Sequence, residues 1–548
     1  MLKLKKILTA ALVMAALPLA AQNSQDRNFE IAKNLEVFSN VYKTLNYNYV
    51  DEVDPGKSIK AAIDAMLAQM DPYTVFYPES DMEDVKLQLM GQYGGIGALV
   101  HKNGDHVYIA EPYENMPAHK AGLKAGDMIL SINGENCTNK EVSDVSNLLR
   151  GQAGTSLTVK VDRNGTMIEK TFKREEIKLP NVPYYGFVGK DFGYIKLDEF
   201  TQDAAKNVRD AFKALKAEKP DMKGVILDLR GNGGGLMNEA VDIVNIWEKK
   251  GETVVETKGK IASKNLKSIT HMEPIDTKIP VAVLINGYSA SASEIVSGSL
   301  QDFDRAVIIG SRSFGKGLVQ NILPLVYNNQ MKVTVSKYYI PSGRCIQAID
   351  YANRDENGKA VKVPDSLKTA FLTRNGRTVY DGFGIEPDVE TEPEYMSALS
   401  ATLVQKFYIF DYATKFAREH ESIDEPETFQ ISDEVFNDFK NYLSGKDYSY
   451  STDTEKMLAE LRDVAKEEKY IDAIGTKLDE LETQFKKDKA DDLNKYKKEI
   501  CLLLKEEILA RYYYERGRII GALTDDPDID KAIEVLGDAA QYKKILSK

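Results

Sequence analysis

Three serines followed by a lysine between two glycines are the part of this sequence best suited to nucleophilic chemistry. Ser289, Ser291 and Ser293 follow a short apolar stretch, and Lys316 comes later. The pattern predicts that a strand ends near residue 286 and that the serines lie at the start of a helix. Unpaired N–H groups and the helix dipole favour a negatively charged oxygen there. A base beside such a serine would activate it as a nucleophile, so the pattern is compatible with acyl transfer.

The same residues also have a purely structural interpretation. Glu294 follows Ser291 by three positions, and this Ser-x-x-Glu pattern is typical of a capping box at a helix N-terminus. A single lysine is most often a solvated surface charge. Gly315 and Gly317, however, permit unusual backbone angles and a close approach of the chain around Lys316. The residues alone leave both interpretations open.

The composition argues against several other classes of function. The chain has 548 residues, enough for several domains, and a formal net charge of −12. Such an acidic protein is not expected to bind nucleic acid, because phosphate binding requires a basic surface. The five histidines show no metal-binding spacing and no triad motif, and three scattered cysteines do not form a disulfide framework. We expect no metal, no cofactor and no Ser–His–Asp triad.

The N-terminus has the properties of an export signal. Three lysines precede an almost purely apolar stretch of 14 residues, 7–20, and the small residues Ala20 and Ala21 then precede Gln22. Residues 1–21 are predicted to be a signal peptide, since a membrane-spanning helix needs about 20 apolar residues. An uncleaved anchor is the alternative. We expect the mature protein to lie in the periplasm or elsewhere outside the cytoplasm, with no stable membrane span after signal cleavage.

The rest of the chain divides into four segments by hydrophobic periodicity. Residues 22–92 show helical spacing, and residues 93–168 form short strands separated by glycines, with one helix. Residues 169–392 alternate apolar strands with helical stretches, which is typical of an α/β domain. Residues 393–548 are helical and highly charged. We therefore predict a multidomain protein of mixed α+β and α/β class.

The last segment contains a stripe of apolar residues at steps of three and four. The stripe consists of Ile471, Ile474, Leu478, Leu481 and Phe485. Gly475 lies within it and weakens the helix by about 1 kcal/mol. The pattern favours one helix packed on a bundle over an intermolecular coiled coil, which stays the alternative.

The second segment resembles a PDZ domain. The resemblance rests on Gly94, Gly95, Ile96 and Gly97 before a strand, together with further turn residues over 117–134. In that family a glycine-rich loop donates backbone N–H groups to the C-terminal carboxylate of a peptide, which adds to the sheet as a strand. The resemblance implies that these four residues bind the C-terminal tails of protein substrates. The sequence points to no particular adaptor.

Residues 286–320 resemble the signature of the carboxy-terminal processing proteases, also called tail-specific proteases. The resemblance extends in the same domain order over roughly residues 30–390. That family uses a Ser–Lys dyad in which the lysine follows the serine by 25 positions, and Lys316 follows Ser291 by 25. A glutamine that orients the lysine follows it by four, which gives Gln320. The resemblance implies that Ser291 is the nucleophile, Lys316 the general base and Gln320 the orienting residue, and that Ser289 and Ser293 are not nucleophiles.

Two further stretches match the same family. Residues 227–235 end in three glycines and resemble the strand that forms the oxyanion hole. The resemblance implies that the N–H group of Ala292 and that of Gly234 or Gly235 hold the tetrahedral oxyanion, and either glycine could be the donor. The alternative is a plain glycine-rich turn. The other match covers residues 338–347.

The function implied is that of a secreted serine endopeptidase that recognises substrate C-termini through its PDZ domain and cleaves through an acyl-enzyme. Lys316 must be neutral to act as the base, whereas a free lysine has a pKa of about 10.4, so burial would have to lower that pKa. Two alternatives are a catalytically silent peptide- or ligand-binding protein on the same fold and a chaperone-like tether. The intact set of Ser291, Lys316 and Gln320 argues against a pure binding protein.

Overall fold

The computed structural model describes residues 27–79, 92–356, 358–392, 395–489 and 491–547. The predicted signal peptide, residues 1–21, lies outside this described part. The chain forms two compact units, in which residues 322–333 join the residues up to 78 and the remainder forms the second unit. None of the helices in the described ranges has the length and apolar character needed to cross a membrane.

In the first unit, the described residues up to 78 form two helices and one short strand. Helix α1 covers residues 27–48, helix α2 spans Pro55–Leu67 and strand β1 spans Val75–Tyr77. The carboxylate of Asp54 accepts two N–H groups from the first turn of α2, which explains why the helix begins there. β1 pairs antiparallel with residues 330–332. The predicted helical spacing is confirmed for α1 and α2.

Residues 92–178 form a small β domain. Its elements are β2 Gln92–Gly95, β3 Ala98–Asn103, β4 His106–Pro112, α3 Pro117–Lys120, β5 Met128–Ile132, β6 Glu135–Asn136, α4 Val142–Leu149, β7 Ser156–Arg163, β8 Thr166–Lys173 and β9 Glu175–Lys178. The antiparallel sheet has the order β3-β4-β5-β7-β8, β6 pairs with β5, and β2 pairs separately with β9. In β4, Val107 and Ile109 are fully buried while Tyr108 between them is partly exposed, as expected for a sheet with one face on a core.

Residues 184–390 form an α/β domain. Its elements are β10 Tyr184–Val188, β11 Phe192–Lys196, α5 Ala204–Glu218, β12 Gly224–Asp228, α6 Met237–Trp247, β13 Thr253–Gly259, β14 Lys267–Ile269, β15 Val281–Ile285, α7 Ala292–Asp302, β16 Val307–Gly310, β17 Leu318–Pro324, β18 Gln330–Tyr339, β19 Ile349–Arg354, β20 Ala360–Lys362, β21 Ala370–Leu372, β22 Thr378–Tyr380 and β23 Val389–Glu390. The main sheet has the order β10-β11-β12-β15-β16-β23 and is parallel except for β10. Every residue of β12 and β15 is buried, because both faces of the sheet are covered.

The C-terminal region is helical throughout its regular elements. These are α8 Ala398–Gln405, α9 Tyr408–Glu419, α10 Asp433–Tyr442, α11 Asp453–Glu467, α12 Ile471–Lys489, α13 Asp492–Lys495, α14 Lys497–Ala522, α15 Pro527–Gly537 and α16 Ala539–Ile545. Within α14, Tyr514 has φ 55° and ψ −155°, which kinks the helix. The apolar stripe predicted over residues 471–485 lies on α12, and Arg462 of α11 pairs with Asp479 of α12 at 2.7 Å.

Two different layers cover the main sheet. α5, α6 and α7 pack on one face, where alternate strand residues such as Val225 and Val283 point. α15, from the C-terminal region, packs on the other face against Ile226 and Leu284. The C-terminal region also contacts the small β domain, since the ring of Phe407 stacks on His101 at 4.1 Å. The described C-terminal helices are therefore packed into the second unit rather than appended to it.

Candidate active site

Ser291 lies at the junction of β15 and α7. The buried strand ends at Ile285, a short loop follows, and Ser291 directly precedes the first helical residue. Its backbone has φ 56° and ψ −110°, a conformation that is costly for a residue with a side chain. Such strain is found where a side chain has to be presented at a functional site, and a nucleophilic serine on a strand-to-helix turn is one example. The structure confirms the predicted strand, loop and helix.

The three serines of the loop differ in their surroundings. Ser289 is fully buried, and its hydroxyl donates to the Leu229 carbonyl at 2.8 Å. Ser293 is also fully buried, and its hydroxyl donates to the Asn232 carbonyl at 2.9 Å. Ser291 alone of the three is partly exposed. The geometry thus gives structural hydrogen bonds to Ser289 and Ser293 and leaves Ser291 as the serine that a substrate can reach.

Lys316 lies on a tight turn that both flanking glycines make possible. Gly315 has φ +88°, and a Cβ atom there would lie 2.3 Å from the Cβ of Ala348. A Cβ atom at Gly317 would lie 2.9 Å from the backbone nitrogen of Gln347. Side chains at either position would therefore push the turn away from its neighbours. The side chain of Lys316 itself is partly buried.

Glu294 connects the serine loop to the lysine turn. Its Oε2 accepts the backbone N–H of Ser291 at 2.7 Å and that of Lys316 at 2.9 Å. Its Oε1 accepts the N–H of Gly315 at 2.7 Å and the hydroxyl of Ser313 at 2.6 Å. Burial raises the pKa of Glu294, although these four hydrogen bonds favour the ionised form. One fully buried carboxylate thus holds the backbones of Ser291 and Lys316 side by side.

Tyr338 makes a second link between the same two residues. Its hydroxyl lies 3.1 Å from the carbonyl oxygen of Ser291 and 2.8 Å from that of Lys316. Burial raises the pKa of Tyr338 well above its usual value, so the hydroxyl keeps its proton as a donor. The sequence identifies Glu294 only as a capping residue and Tyr338 only as part of a motif. Glu294 contacts Lys316, which lies 22 positions away, and Tyr338 contacts Ser291, which lies 47 positions away. Neither contact is visible in the sequence.

Gln320 lies on β17, after the lysine turn. Its amide nitrogen donates to the hydroxyl of Thr334 at 3.1 Å. The side chain is partly buried. The structure thus places Gln320 on the strand that leaves the turn of Lys316, and its orienting role stays a prediction.

The glycine-rich segment after β12, residues 229–235, is a turn and loop with one isolated bridge rather than a strand, and it passes directly beside Ser291. Gly234 has φ +104°, and a Cβ atom there would lie 2.8 Å from the Cβ of Ser291 and 3.0 Å from the nitrogen of Ala292. The N–H of Gly234 donates to the side-chain oxygen of Asn232 at 2.8 Å. Gly235 forms a parallel bridge with Phe200. In this bridge the N–H of Phe200 donates to the Gly234 carbonyl, and the N–H of Leu236 donates to the Phe200 carbonyl. In a parallel bridge the N–H of the bridged residue points away from its partner, so the N–H of Gly235 points away from Phe200.

The four residues predicted to bind a carboxylate fall in two elements of the small β domain. Gly94 and Gly95 belong to β2, whereas Ile96 and Gly97 connect β2 to β3. The carbonyl groups of Ile96 and Gly97 accept N–H groups of Ala118 and Tyr113 at 2.8 and 2.9 Å. Gly97 has φ +67°, and a Cβ atom there would lie 2.5 Å from that of Met116. The connection is therefore fixed in a shape that requires glycine at position 97.

Comparison with known proteins identifies three matching family models. They are "Peptidase family S41" over residues 191–353, "PDZ domain" over residues 108–163 and "Probable PDZ-protease, C-terminal helical domain" over residues 399–536. A carboxy-terminal-processing protease of Bartonella bacilliformis is 35% identical over 346 residues, which cover 62% of this chain and 78% of that protein. The chain belongs to the carboxy-terminal-processing protease family.

Two further proteins show the extent of the likeness. A protein of Staphylococcus aureus named "Probable CtpA-like serine protease" is 34% identical over 371 residues, covering 66% of this chain and 71% of that protein. The solved structure of a photosystem II D1 C-terminal processing protease, 25% identical, covers 66% of this chain and 93% of that chain with a TM-score of 0.36. The chain described in this structure is a serine-type peptidase with a PDZ domain. The predicted family, fold class and enzyme class are confirmed.

The close approach at Gly234 leads to a first prediction. Gly234→Ala is expected to lower kcat by about 100-fold or more, since the new methyl group would displace the Ser291 backbone or the Ala292 N–H and a 1 Å misplacement costs about that much. The matched control is Gly233→Ala, because a Cβ atom there would meet nothing within 4 Å. Steady-state peptide cleavage by both variants is the measurement. Equal activity of the two variants would show that Gly234 does not define the geometry at Ser291.

Proposed function

We propose that this carboxy-terminal-processing protease is an extracytoplasmic endopeptidase that uses a Ser291–Lys316 dyad. The observation that carries the proposal is the shared carboxylate oxygen of Glu294, which accepts the N–H groups of both Ser291 and Lys316. The bridging hydroxyl of Tyr338 supports the same pairing through the two carbonyl groups. Two residues 25 positions apart are thus held together at two points by buried side chains, which is the preorganisation a dyad needs.

In the proposed mechanism the neutral amine of Lys316 removes the hydroxyl proton of Ser291. The Oγ atom attacks the scissile carbonyl carbon and gives a tetrahedral oxyanion. When the C–N bond breaks, the departing amine receives a proton from the Lys316 ammonium, and an ester with Ser291 remains. Lys316 then takes a proton from water, whose oxygen attacks the ester, and the acid product leaves as Ser291 regains its proton. Gln320 is proposed to help orient the amine through the strand that follows the turn.

We assign the oxyanion hole to the N–H groups of Ala292 and Gly235. Ala292 is the first residue of α7, so its N–H has no partner within the helix. The N–H of Gly234 is already donated to Asn232, whereas that of Gly235 points away from its bridge partner Phe200. In this assignment Gly234 contributes by lacking a side chain, which allows the close approach to Ser291. Gly235 contributes by donating its N–H to the oxyanion.

The PDZ domain is proposed to bind the C-terminal tails of substrates. β3 lies at the edge of its sheet, so an extended peptide is able to add to it as a further strand. The connection at Ile96 and Gly97 lies at one end of this edge, and the ion pair between Lys102 and Glu141, 2.6 Å, links β3 to the start of α4 at the other. The buried side chains of Ile96, Val145 and Leu149 belong to one apolar cluster. This chemistry favours tails that end in a small or apolar residue with a free carboxylate.

The extracytoplasmic location rests on the N-terminal sequence. Three lysines, an apolar stretch and small residues before Gln22 have the composition of a cleaved export signal. N-terminal sequencing of the protein recovered from cells tests it directly. A chain that begins at or near Gln22 supports export, and one that retains residues 1–21 contradicts cleavage.

A substrate pair tests the proposed function. A protein substrate with a free apolar C-terminus is expected to be cleaved with a kcat/KM about tenfold or more above that of the same substrate with an amidated C-terminus. The loss of a carboxylate bound by N–H groups corresponds to at least about 1.4 kcal/mol. The control is a short peptide that contains only the cleaved sequence, which should be cleaved equally with either terminus. Equal kcat/KM for the two protein substrates would overturn tail recognition.

A further inference from the structure

Arg230 lies between the main sheet and the glycine-rich segment. It comes two residues after β12 and four residues before Gly234, and its side chain is 19% exposed. Its guanidinium contacts Asp228 of β12, with Nη2 at 2.8 Å from Oδ2. Its carbonyl group accepts the Nζ of Lys196 at 2.6 Å. Arg230 is therefore the point at which the chain leaves the sheet for the proposed oxyanion segment.

Two carboxylates of the C-terminal region complete the surroundings of Arg230. Asp526 accepts Nη2 at 2.7 Å and Nη1 at 3.0 Å, a bidentate contact, and Asp528 accepts Nη1 at 2.9 Å. The aspartates lie almost 300 positions from Arg230 along the chain. Bidentate, charge-assisted contacts of this kind are directional as well as strong. Arg230 is thus held from the sheet by Asp228 and from the C-terminal region by Asp526 and Asp528.

The guanidinium of Arg230 is shared between Asp228 of the sheet and the two C-terminal aspartates. Burial of Asp228 would raise its pKa, but the charges of Arg230 and Lys196 and the hydrogen bonds from Arg230 outweigh this effect and hold the pKa well below its usual value. Tyr194 also donates its hydroxyl to Asp228, at 2.8 Å. The inner side of Arg230 is therefore occupied by one fully ionised carboxylate. The other N–H groups of the guanidinium face the two aspartates of the C-terminal region.

The helix that carries these aspartates is itself fixed. Asp526 caps α15 by accepting the N–H groups of Asp528 and Ile529 at 2.9 and 3.2 Å. The apolar side of α15 packs on the main sheet through Ile529, Ala532, Val535 and Leu536. The carboxylates therefore sit at the end of a helix that is part of the second layer of the protease core. Their position is thus set by α15 as well as by their contacts with Arg230.

The glycine-rich segment that starts at Arg230 is hydrogen-bonded to the serine loop through Gly231 and Asn232. The N–H of Gly231 donates to the side chain of Asn286 at 3.1 Å, and the Asn232 carbonyl accepts the Ala290 N–H at 3.0 Å. The hydroxyl of Ser293 reaches the same carbonyl. A displacement of Arg230 would consequently shift the backbone of Gly234 and Gly235, which lie beside Ser291.

We infer that Asp526 and Asp528 are positioning residues for catalysis. They act through Arg230, which places the glycine-rich segment so that Gly235 can donate to the oxyanion. The inference rests on the proposed function, since it assigns the segment a role in the reaction. It gives the C-terminal helical region a part in the chemistry itself, beyond covering the sheet.

The test compares Asp526→Asn/Asp528→Asn with Asp530→Asn in the full chain. Asn at position 526 still caps α15, because Asn and Asp are equally good N-cap residues, so the double variant removes charge from Arg230 while keeping the cap. Asp530 lies on the same first turn of α15 and is exposed, which makes it the matched control. Activity is measured as kcat and KM per folded molecule, with the folded fraction determined by thermal unfolding under assay conditions.

The double variant is expected to lose tenfold to 100-fold in kcat with KM within about twofold of wild type. Asp530→Asn should match wild type. Unchanged kcat in the folded double variant would overturn the inference, and so would a loss of activity that equals the loss of folded protein, since the carboxylates would then only stabilise the fold. Ser291→Ala in the same assay separates this failure from that of the proposed function. If Ser291→Ala is inactive and the double variant is not impaired, only the positioning role is wrong.

Discussion

Ser291→Ala is expected to abolish cleavage, with a loss on the order of 10⁴-fold or more, because the acyl-enzyme cannot form without the nucleophile. Its free energy of unfolding should fall by about 1 kcal/mol, because Ser291 is also the N-cap of α7 in a capping box with Glu294. The partly exposed Ser291 sits in the loop at φ 56°, and alanine accepts this backbone at a similar cost. Steady-state cleavage and thermal unfolding of the same preparation are the two measurements. The variant should still bind substrate tails, which also makes it useful for identifying substrates.

Ser289→Ala and Ser293→Ala are the matched controls. They should keep cleavage activity and lose stability. Each buried hydroxyl donates to a backbone carbonyl, and Ser289 also accepts the N–H of Asn286 at 2.9 Å. Removing a buried partner costs about 1–3 kcal/mol, so both variants should be less stable while the folded fraction stays active. If folded Ser293→Ala does not cleave the substrate while Ser291→Ala does, Ser293 is the nucleophile.

Lys316→Arg is expected to lower kcat by about 10²–10⁴-fold, the usual contribution of a general base. Arginine stays charged in proteins and cannot accept the serine proton. The wild-type rate should rise with pH, because only the neutral form of a lysine can act as the base and its fraction increases as pH rises. The measurements are kcat against pH for wild type and kcat of the variant at one pH.

Lys337→Arg makes the same chemical change on an exposed lysine of β18 and should leave kcat unchanged. The backbone contacts of Lys316 to Glu294 and Tyr338 do not depend on its side chain, so the Arg variant is expected to fold. An active Lys316→Arg enzyme, or a wild-type rate that falls as pH rises from neutral, would contradict the dyad.

Much of the fold was predictable because its signals are local. The apolar runs of β12 and β15 indicated buried strands, and their complete burial confirms this. The turn residues of the small β domain indicated a PDZ domain, which the match over residues 108–163 confirms. The roles of Ser291, Lys316 and Gln320 stay predictions, although the structure brings the backbones of the first two together. Short β23, with two residues, and the small hairpins between residues 349 and 380 had no comparable periodic signal.

The sequence by itself determined the family and the order of the domains, and it predicts which residues do the chemistry. These follow from side-chain type and from spacings of a few to 25 positions, which a strand, a turn or a helix converts directly into local geometry. Only the tertiary structure decided that the N–H of Gly234 is donated to Asn232, and that Glu294 and Tyr338 join the serine loop to the lysine turn. It also decided that Asp526 and Asp528 reach Arg230 from almost 300 positions away. Such contacts depend on how packed layers bring distant segments together, and a charge pattern at either end alone does not specify its partner.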